Sequence, residues 1–493
     1  MKSTAPAYAE FAVQSNFSFL RGASKPEELV VTAKHLGHDA IGLADRNTVA
    51  GVVRAWSQSK HIRLSGSAAP GRLAYHPGCR LVFADATPDV LAYPQDRRGW
   101  GHLCRLLSEA NMRAESEKGA PRIYRDDLFG WGERISLALI PRLAGGEADE
   151  LELLRCLRDR FGTAVRLAVA PAYGGNDRFR IAQAAAMAAA AGVPLMAIND
   201  VLYHVPDRRP LQDVLTAIRL NTTVAEAGFA LAAHAERHLK PAAEMARLFR
   251  GFPEALAETV NFAASLAFSL GELSHNYPDE TTAAGVDPQA ELESLTWQGA
   301  RDRYPQGLPD GVADKIRHEL EIVAQKDYAR YFLTVHDIVA HARVEKGILC
   351  QGRGSAANSV ICFCLGITEV DPVLMTNGLF ERFISTERDE PPDIDVDFEH
   401  ERRDEVIAYI YRKYSHTRTA LAASVVTYRG RSAMREVARA MGLSDDVQSA
   451  LSGSIWGWSS SELGAREARA GGLAEADPTT RHVMQRANEI IGF

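Results

Sequence analysis

Pro392-Asp393-Ile394-Asp395-Val396-Asp397-Phe398 alternates acid with apolar residue three times over. In a strand, successive side chains point to opposite faces, so Asp393, Asp395 and Asp397 share one face and Ile394, Val396 and Phe398 the other. The apolar face can pack on a core. The acidic face crowds like charges and is costly unless a cation neutralises them. Hard oxygen ligands at this spacing suit Mg²⁺, and a pair of such ions suits phosphoryl transfer. Asp is depleted in strands, so a solvated loop or a calcium site stands as the plainer reading. Asp393 follows Pro391-Pro392 and reads as a residue that turns the chain into the strand.

Upstream, within 45 residues of this strand, lies Gln351-Gly352-Arg353-Gly354-Ser355-Ala356-Ala357-Asn358-Ser359, followed by an apolar run. Small residues let backbone approach a ligand, and amides at a helix start attract anions such as phosphate. Arg353 and the Ser355 hydroxyl add donors. The loop is neither a Walker A sequence nor GxGxxG, and by itself it reads as an ordinary turn. Its nearness to the acidic strand favours one shared nucleotide site. Between the two, Arg382 and Arg388 are either surface partners of neighbouring acids or groups facing a triphosphate. Downstream, Glu401 to Tyr414 is an amphipathic helix with Val406, Ile407, Ile410, Tyr411 and Tyr414 at helical spacing. Thr427-Tyr428-Arg429-Gly430-Arg431-Ser432 mixes donors suited to a phosphate backbone, or is a basic loop that binds nothing.

The N-terminal part alternates strand-like and helix-like segments. Pro26 to Leu36 reads as a helix ended by Gly37. Ala40 to Asp45, Ala164 to Val169 and Leu195 to Val201 read as strands, the last two separated by an Ala-rich helix stopped at Gly192-Val193-Pro194. This order argues for an α/β barrel or layered domain, with functional side chains at strand C-termini, where Asp45 and Asp200 fall. Leu211 to Leu273 turns helical, the stretch to Pro288 reads as a linker, and a second helical region carries Ile316, Leu320, Val323 and Tyr331. The segment 463–476 reads as a mobile connection.

A chain of 493 residues suggests about three domains. Its 46% apolar and 24% charged residues are ordinary for a globular protein, and the net charge of −7 neither advertises nor excludes nucleic-acid binding. The six cysteines form no CxxC pair, which argues against a zinc ribbon; reduced thiols in a cytoplasmic protein fit best. Cys362-Phe363-Cys364 reads as core. Neither a signal peptide nor a membrane span is expected.

Ile348 to Ser359 with Leu365 to Pro372, then Glu381-Arg382-Phe383-Ile384-Ser385, Pro391 to Phe398, His400 to Arg403 and Val426 to Arg429 resemble, in order, the bacterial C-family DNA polymerases of the polymerase III alpha-subunit type. Tyr8-Ala9-Glu10, Ser15 to Ser24 and Leu211 to Arg219 are similar to the error-prone, damage-tolerant branch. The resemblance implies an α/β multidomain chain. A PHP-type distorted α/β barrel would occupy 1–265. A palm with a nucleotidyltransferase-like mixed sheet and helices would occupy 266–425, and the start of a helical thumb 426–493. It implies Asp395 and Asp397 as two of three catalytic aspartates holding two Mg²⁺ ions. It further implies Arg353, Gly354 and Ser355 on the dNTP phosphates, and Arg429 and Arg431 on DNA. Primer-template DNA and dNTPs are the implied partners. A sliding clamp and mutagenesis accessory proteins would bind through regions outside these residues.

Two departures qualify the resemblance. The third catalytic aspartate is expected beyond Phe493, so the chain is expected not to polymerise alone. In the barrel, the His-x-His slot reads Glu10-Phe11-Ala12, the Asp-His pair reads Asp45-Arg46, and Asp-x-His reads Asp200-Val201-Leu202. Ala, Arg and Leu cannot replace imidazole ligands, and Arg46 puts a fixed positive charge there, free to pair with Asp45 or Asp200. His76 and His204 remain as isolated histidines. No metal is expected in this domain. The competing readings are a PHP-domain phosphoesterase or 3′–5′ exonuclease, and a non-catalytic module of a mutagenesis complex.

Overall fold

The computed structural model describes the chain except residues 1–5, 65–72, 118, 144–146, 275–284, 373–383, 385–391, 423, 454, 456–468, 470–473 and 475–476. The residues pack as two compact units, Met1–Leu273 with Val425–Phe493, and Ser274–Ser424.

The first unit is built on seven strands in sequence order: β1 (Ala9–Val13), β2 (Ala40–Arg46), β3 (Ala74–Leu81), β4 (Val90–Pro94), β5 (Ile135–Leu139), β6 (Val165–Val169) and β7 (Leu195–Ala197). All neighbours run parallel except β4, which is antiparallel to both β3 and β5. The sheet curls until β1 meets the chain just after β7. There Gln14 N donates to Val201 O at 2.9 Å and Val201 N to Ala12 O at 2.8 Å, around one parallel bridge from Val13 to Val201. This is the distorted barrel that the alternation of strands and helices predicts.

Strand residues are buried on both faces, as barrel strands covered by helices must be. One alternating set, including Phe11, Leu91, Tyr93, Ala138, Ala168 and Met196, gathers with Phe262 in a single cluster. The other set packs under the surrounding helices. Tyr93 explains two glycines. A Cβ on Gly42 or Gly78 would come within 2.7 Å or 2.3 Å of its ring, and its hydroxyl donates to Gly42 O at 3.0 Å. The Ala-rich helix runs Asp177–Ala191 and ends at Gly192 in the left-handed region, φ 70°, as its sequence predicts.

Residues 425–493 share a core with the Arg209–Leu220 helix. Leu211, Val214, Leu215 and Ile218 pack with Ala433, Met434 and Val437 of the Gly430–Ala440 helix and with Val483, Met484 and Ala487 of the Pro478–Ile490 helix. Tyr428 N donates to Phe493 O at 2.9 Å and Gly492 N returns to Tyr428 O at 2.8 Å. The segment 463–476 lies outside the described residues except for Arg469 and Ala474.

In the second unit, helices Pro288–Arg303, Val312–Gln325, Ala329–Ala340 and Val360–Cys364 enclose a core of Leu292, Ile316, Leu320, Val323, Phe332, Ile361 and Cys362. Among the described residues its strands are two, β8 (Cys350–Arg353) and β9 (Asp395–Phe398), paired antiparallel. The mixed sheet expected there is thus represented by one antiparallel ladder. Cys362, Phe363 and Cys364 are buried on a short helix.

Candidate active site

β9 realises the alternation seen in the sequence. Asp393, Asp395 and Asp397 are exposed while Ile394, Val396 and Phe398 are half-buried. Ile394 and Val396 pack on the helical core, and Phe398 on a smaller cluster with Ala342, Ile348 and Val406. The strand begins at Asp395, two residues later than the pattern suggests. The preceding groups point elsewhere: Ile394 N donates to the Tyr331 hydroxyl at 3.1 Å, and Asp393 O accepts from Ser355 Oγ at 3.3 Å. Asp393 is therefore a strand-entry residue whose backbone holds the glycine loop.

β8 delivers that loop to the acidic face. The register sets Arg353 opposite Asp395 and Gln351 opposite Asp397. Arg353 reaches diagonally to Asp397, with Nε 3.2 Å from Oδ2. Gly354 follows at φ 68°, and a Cβ there would lie 3.4 Å from Asp395 Oδ2. A tight turn over Gly354–Asn358 comes next, closed by Asn358 Nδ2 donating to Ser355 O at 3.1 Å. Behind it, Gly352 N donates to Ile367 O at 2.7 Å, and Arg343 donates to Gly366 O and to Cys350 O while pairing with Glu369 at 2.7 Å. The Leu365 to Glu369 motif thus braces β8. Arg353, Gly354, Ser355, Asp395 and Asp397 come together; Arg382 and Arg388 lie outside the described residues.

One expectation about the loop fails. The helix after it, Val360–Cys364, does not offer its first amides to phosphate. Val360 N and Ile361 N donate to the Glu319 carboxylate at 3.0 and 3.1 Å, as does Ser359 Oγ at 2.9 Å, and Cys362 N is capped by Ser359 Oγ at 3.1 Å. Glu319 is only 2% exposed, and burial outweighs these donors to push its carboxyl up to about 7. The donors beside the acidic face are therefore those of the turn at Gly354 and Ser355 and of Arg353. Glu319 was missed in the sequence although it left a signal. It stands between Ile316, Leu320 and Val323 on the apolar stripe of its helix, where an acid needs a buried partner.

At the mouth of the barrel, Glu10, Asp45 and Asp200, the carboxylates of the three slots singled out in the sequence, are already held. Glu10 accepts from Tyr8 Oη at 2.5 Å and from the amides of Ala12 and Asn199 at 3.2 and 3.0 Å; burial raises it to about 7 against those donors. Asp45 accepts from Ser15 N, Ser15 Oγ and Ser18 Oγ at 2.7, 2.8 and 2.7 Å, and burial raises it to about 6. Asp200 is held by Arg80 and Arg237, each at 2.6 Å; burial works to raise it, but the two guanidiniums win and hold it near 2. Arg46, expected to pair with Asp45 or Asp200, pairs with neither: Arg80, from β3, and Arg237 reach Asp200 instead. His204 Nδ1 lies 2.7 Å from Ser24 Oγ, and His76 is buried in β3. Among the described residues no three His, Cys, Asp or Glu side chains gather as a metal-ligand group.

Arg429 and Arg431 are exposed at the start of the Gly430–Ala440 helix, in the first unit, whereas the acidic strand and its loop are in the second. No helix among the described residues is long and apolar enough to cross a membrane.

Residues 290–493 match the bacterial DNA polymerase III alpha NTPase domain, and residues 10–168 match the PHP domain. Over 486 residues the chain is 66% identical to an error-prone DNA polymerase of Mesorhizobium japonicum, covering 99% of this chain and 42% of that protein. The chain is thus similar along nearly its whole length to part of an error-prone DNA polymerase, and it carries a polymerase III alpha region and a PHP region. Further relatives are error-prone DNA polymerases of Sinorhizobium medicae, 53% identical over 488 residues, and of Rhodopseudomonas palustris, 50% identical over 491. The chain covers 42% and 43% of these two relatives, and thus about two fifths of the length of all three. A solved phosphoesterase structure from Bifidobacterium adolescentis aligns with 40% of the chain at 15% identity and a TM-score of 0.28, a likeness that bears no weight.

Proposed function

We propose that this chain carries part of the active site of an error-prone DNA polymerase that joins dNTPs to a primer by two-metal nucleotidyl transfer. In this reading 1–265 is the PHP-type domain, 266–425 the palm and 426–493 the start of the thumb. The observation that carries it is the pair of exposed carboxylates, Asp395 and Asp397, on one face of β9 with the Gly354–Ser355 turn held against them. Alternate residues on a strand lie roughly 6.6 Å apart, a spacing that suits two hard-oxygen ligands on one cation face.

The residues present fit Mg²⁺ in chemistry: both carboxylates are exposed, and their only ion pair among the described residues, Arg353 to Asp397, is open to water. Mg²⁺ bound there would lower the pKa of the primer 3′-hydroxyl and neutralise the triphosphate. Asp395 and Asp397 would hold it. Arg353 then turns from Asp397 to the incoming phosphates, which the exposure of the pair makes cheap. Ser355 Oγ and the backbone of the Gly354 turn orient the phosphates, and Arg429 and Arg431 contact the DNA backbone. The barrel is a structural domain, because the carboxylates that would bind metals are consumed by Tyr8, Ser15, Ser18, Arg80 and Arg237. A polymerase of this kind works in the cytoplasm, with a sliding clamp and mutagenesis accessory proteins as partners through regions outside these residues.

The test is Mg²⁺-dependent dNTP binding and primer extension, measured on this chain and on a full-length relative. The expected result is Mg²⁺-dependent dNTP binding by this chain that Asp397→Asn abolishes, and extension by the full-length protein that the corresponding substitution abolishes. Binding and extension indifferent to Asp397→Asn would overturn the reading. Stoichiometric zinc or manganese in the barrel, with 3′-exonuclease activity, would overturn its structural role.

A further inference from the structure

Arginine outnumbers acid at the barrel mouth. A cavity of about 270 Å³ opens there, lined by Arg21, Arg46, Arg80, Arg219, Arg237 and Asp89 among others. Five guanidiniums face two carboxylates, Asp89 and Asp200. Arg80 is paired with both acids and Arg237 with Asp200. The side chains of Arg21, Arg46 and Arg219 make no hydrogen bond or ion pair among the described residues, and Arg219 Nε is buried without a partner. Burial, then the neighbouring Arg46, Arg219 and Arg80, lower the Arg21 guanidinium to about 10. Three unpaired cations crowded around a cavity repel one another unless an anion joins them.

The same three arginines wall a second cavity of about 450 Å³, lined also by Phe17, Phe19 and Phe83. At ~30 Å³ per water, the arginine cavity has room for roughly nine waters. That is ample for a phosphate group but far short of a nucleic-acid groove. Arginine forks match phosphate oxygens, and aromatic walls suit a flat ring.

We propose that the barrel mouth is a non-catalytic binding pocket for a small phosphate anion, free or carried on a mononucleotide, held by Arg21, Arg46 and Arg219. The ion pairs on Asp200 keep the acids from repelling it. The phosphate sits among the three guanidiniums, and a nucleotide's ring would lie toward Phe19 and Phe83. This pocket is separate from the palm loop and does not depend on the polymerase reading.

The experiment is calorimetric titration of the full chain with inorganic phosphate and, separately, with dAMP. Saturable binding is expected, weakened about tenfold or more by Arg46→Ala and by Arg219→Ala, since a charge-assisted contact contributes enough for that factor. Arg46 is exposed, so its variant should fold normally, as circular dichroism will show. Binding should persist in Arg353→Ala, which separates this pocket from the palm. Equal affinity for both probes marks a free phosphate anion; tighter dAMP binding, reduced in Phe19→Ala, marks a mononucleotide. Absence of binding, binding unchanged in both arginine variants, or loss only in Arg353→Ala would overturn the proposal. So would salt-sensitive duplex binding, lost in the arginine variants, without binding of either small probe.

Discussion

At Gly354 one residue meets two demands. Its φ of 68° is left-handed, which costs an L residue ~1–2 kcal/mol, and a Cβ would stand 3.4 Å from the Asp395 carboxylate. Gly354→Ala should therefore lower the stability of the second unit by about 1–2 kcal/mol and weaken Mg²⁺-dependent dNTP binding, read by chemical denaturation and nucleotide titration. Glu319 makes a pH prediction. Burial raises its carboxyl from 4.5 to about 7, so the folded chain keeps a proton that the unfolded chain has released between those values. Stability contributed at this site therefore falls as pH rises from about 4.5 to 7, by at most about 1.4 kcal/mol per pH unit. Glu319→Gln cannot ionise and should flatten that slope; denaturation midpoints at pH 5, 6 and 7.5 in both proteins will show it. An unchanged slope would mean that Glu319 is ionised throughout.

At the scale of elements, the β8–β9 ladder sets the loop against the acidic face. The Arg353–Asp397 pair crosses it with side chains 64% and 61% exposed, so water screens the pair to ~0–1 kcal/mol. Arg353→Ala should change stability by less than about 1 kcal/mol while weakening dNTP binding several-fold, as paired denaturation and titration measurements will show. A large stability loss with unchanged affinity would make Arg353 a structural residue. The alternation of β9 was legible because exposure follows the two-residue period; its start was not. Where the ladder begins depends on Tyr331, 63 residues away, capturing the Ile394 amide. The Val360–Cys364 helix likewise looked open to phosphate, and only the fold brings Glu319 beneath it.

At the scale of the whole molecule, the helices Gly430–Ala440 and Pro478–Ile490 are part of the first unit's packing. Met434 is fully buried among side chains of the Arg209–Leu220 helix and the Pro478–Ile490 helix. Met434→Ala should cost about 2–5 kcal/mol and lower amide protection in all three helices together, which hydrogen exchange can read. Loss confined to the Gly430–Ala440 helix would mean that the three do not share one core.

The sequence alone determined the barrel's alternation, the two-faced acidic strand and the side chains Ala12, Arg46 and Leu202, none of which is an imidazole, because periodicity and residue chemistry are local properties. Tertiary structure decided what became of the charges left behind. Asp200 meets Arg80 across 120 residues and Arg237 across 37, and Glu319 meets Ser359 across 40. Such pairings have no period in the sequence; they form because a buried charge without a partner is too costly to keep, and the fold selects which partner is within reach. That selection left Arg46 at the barrel mouth without an ion-pair partner among the described residues.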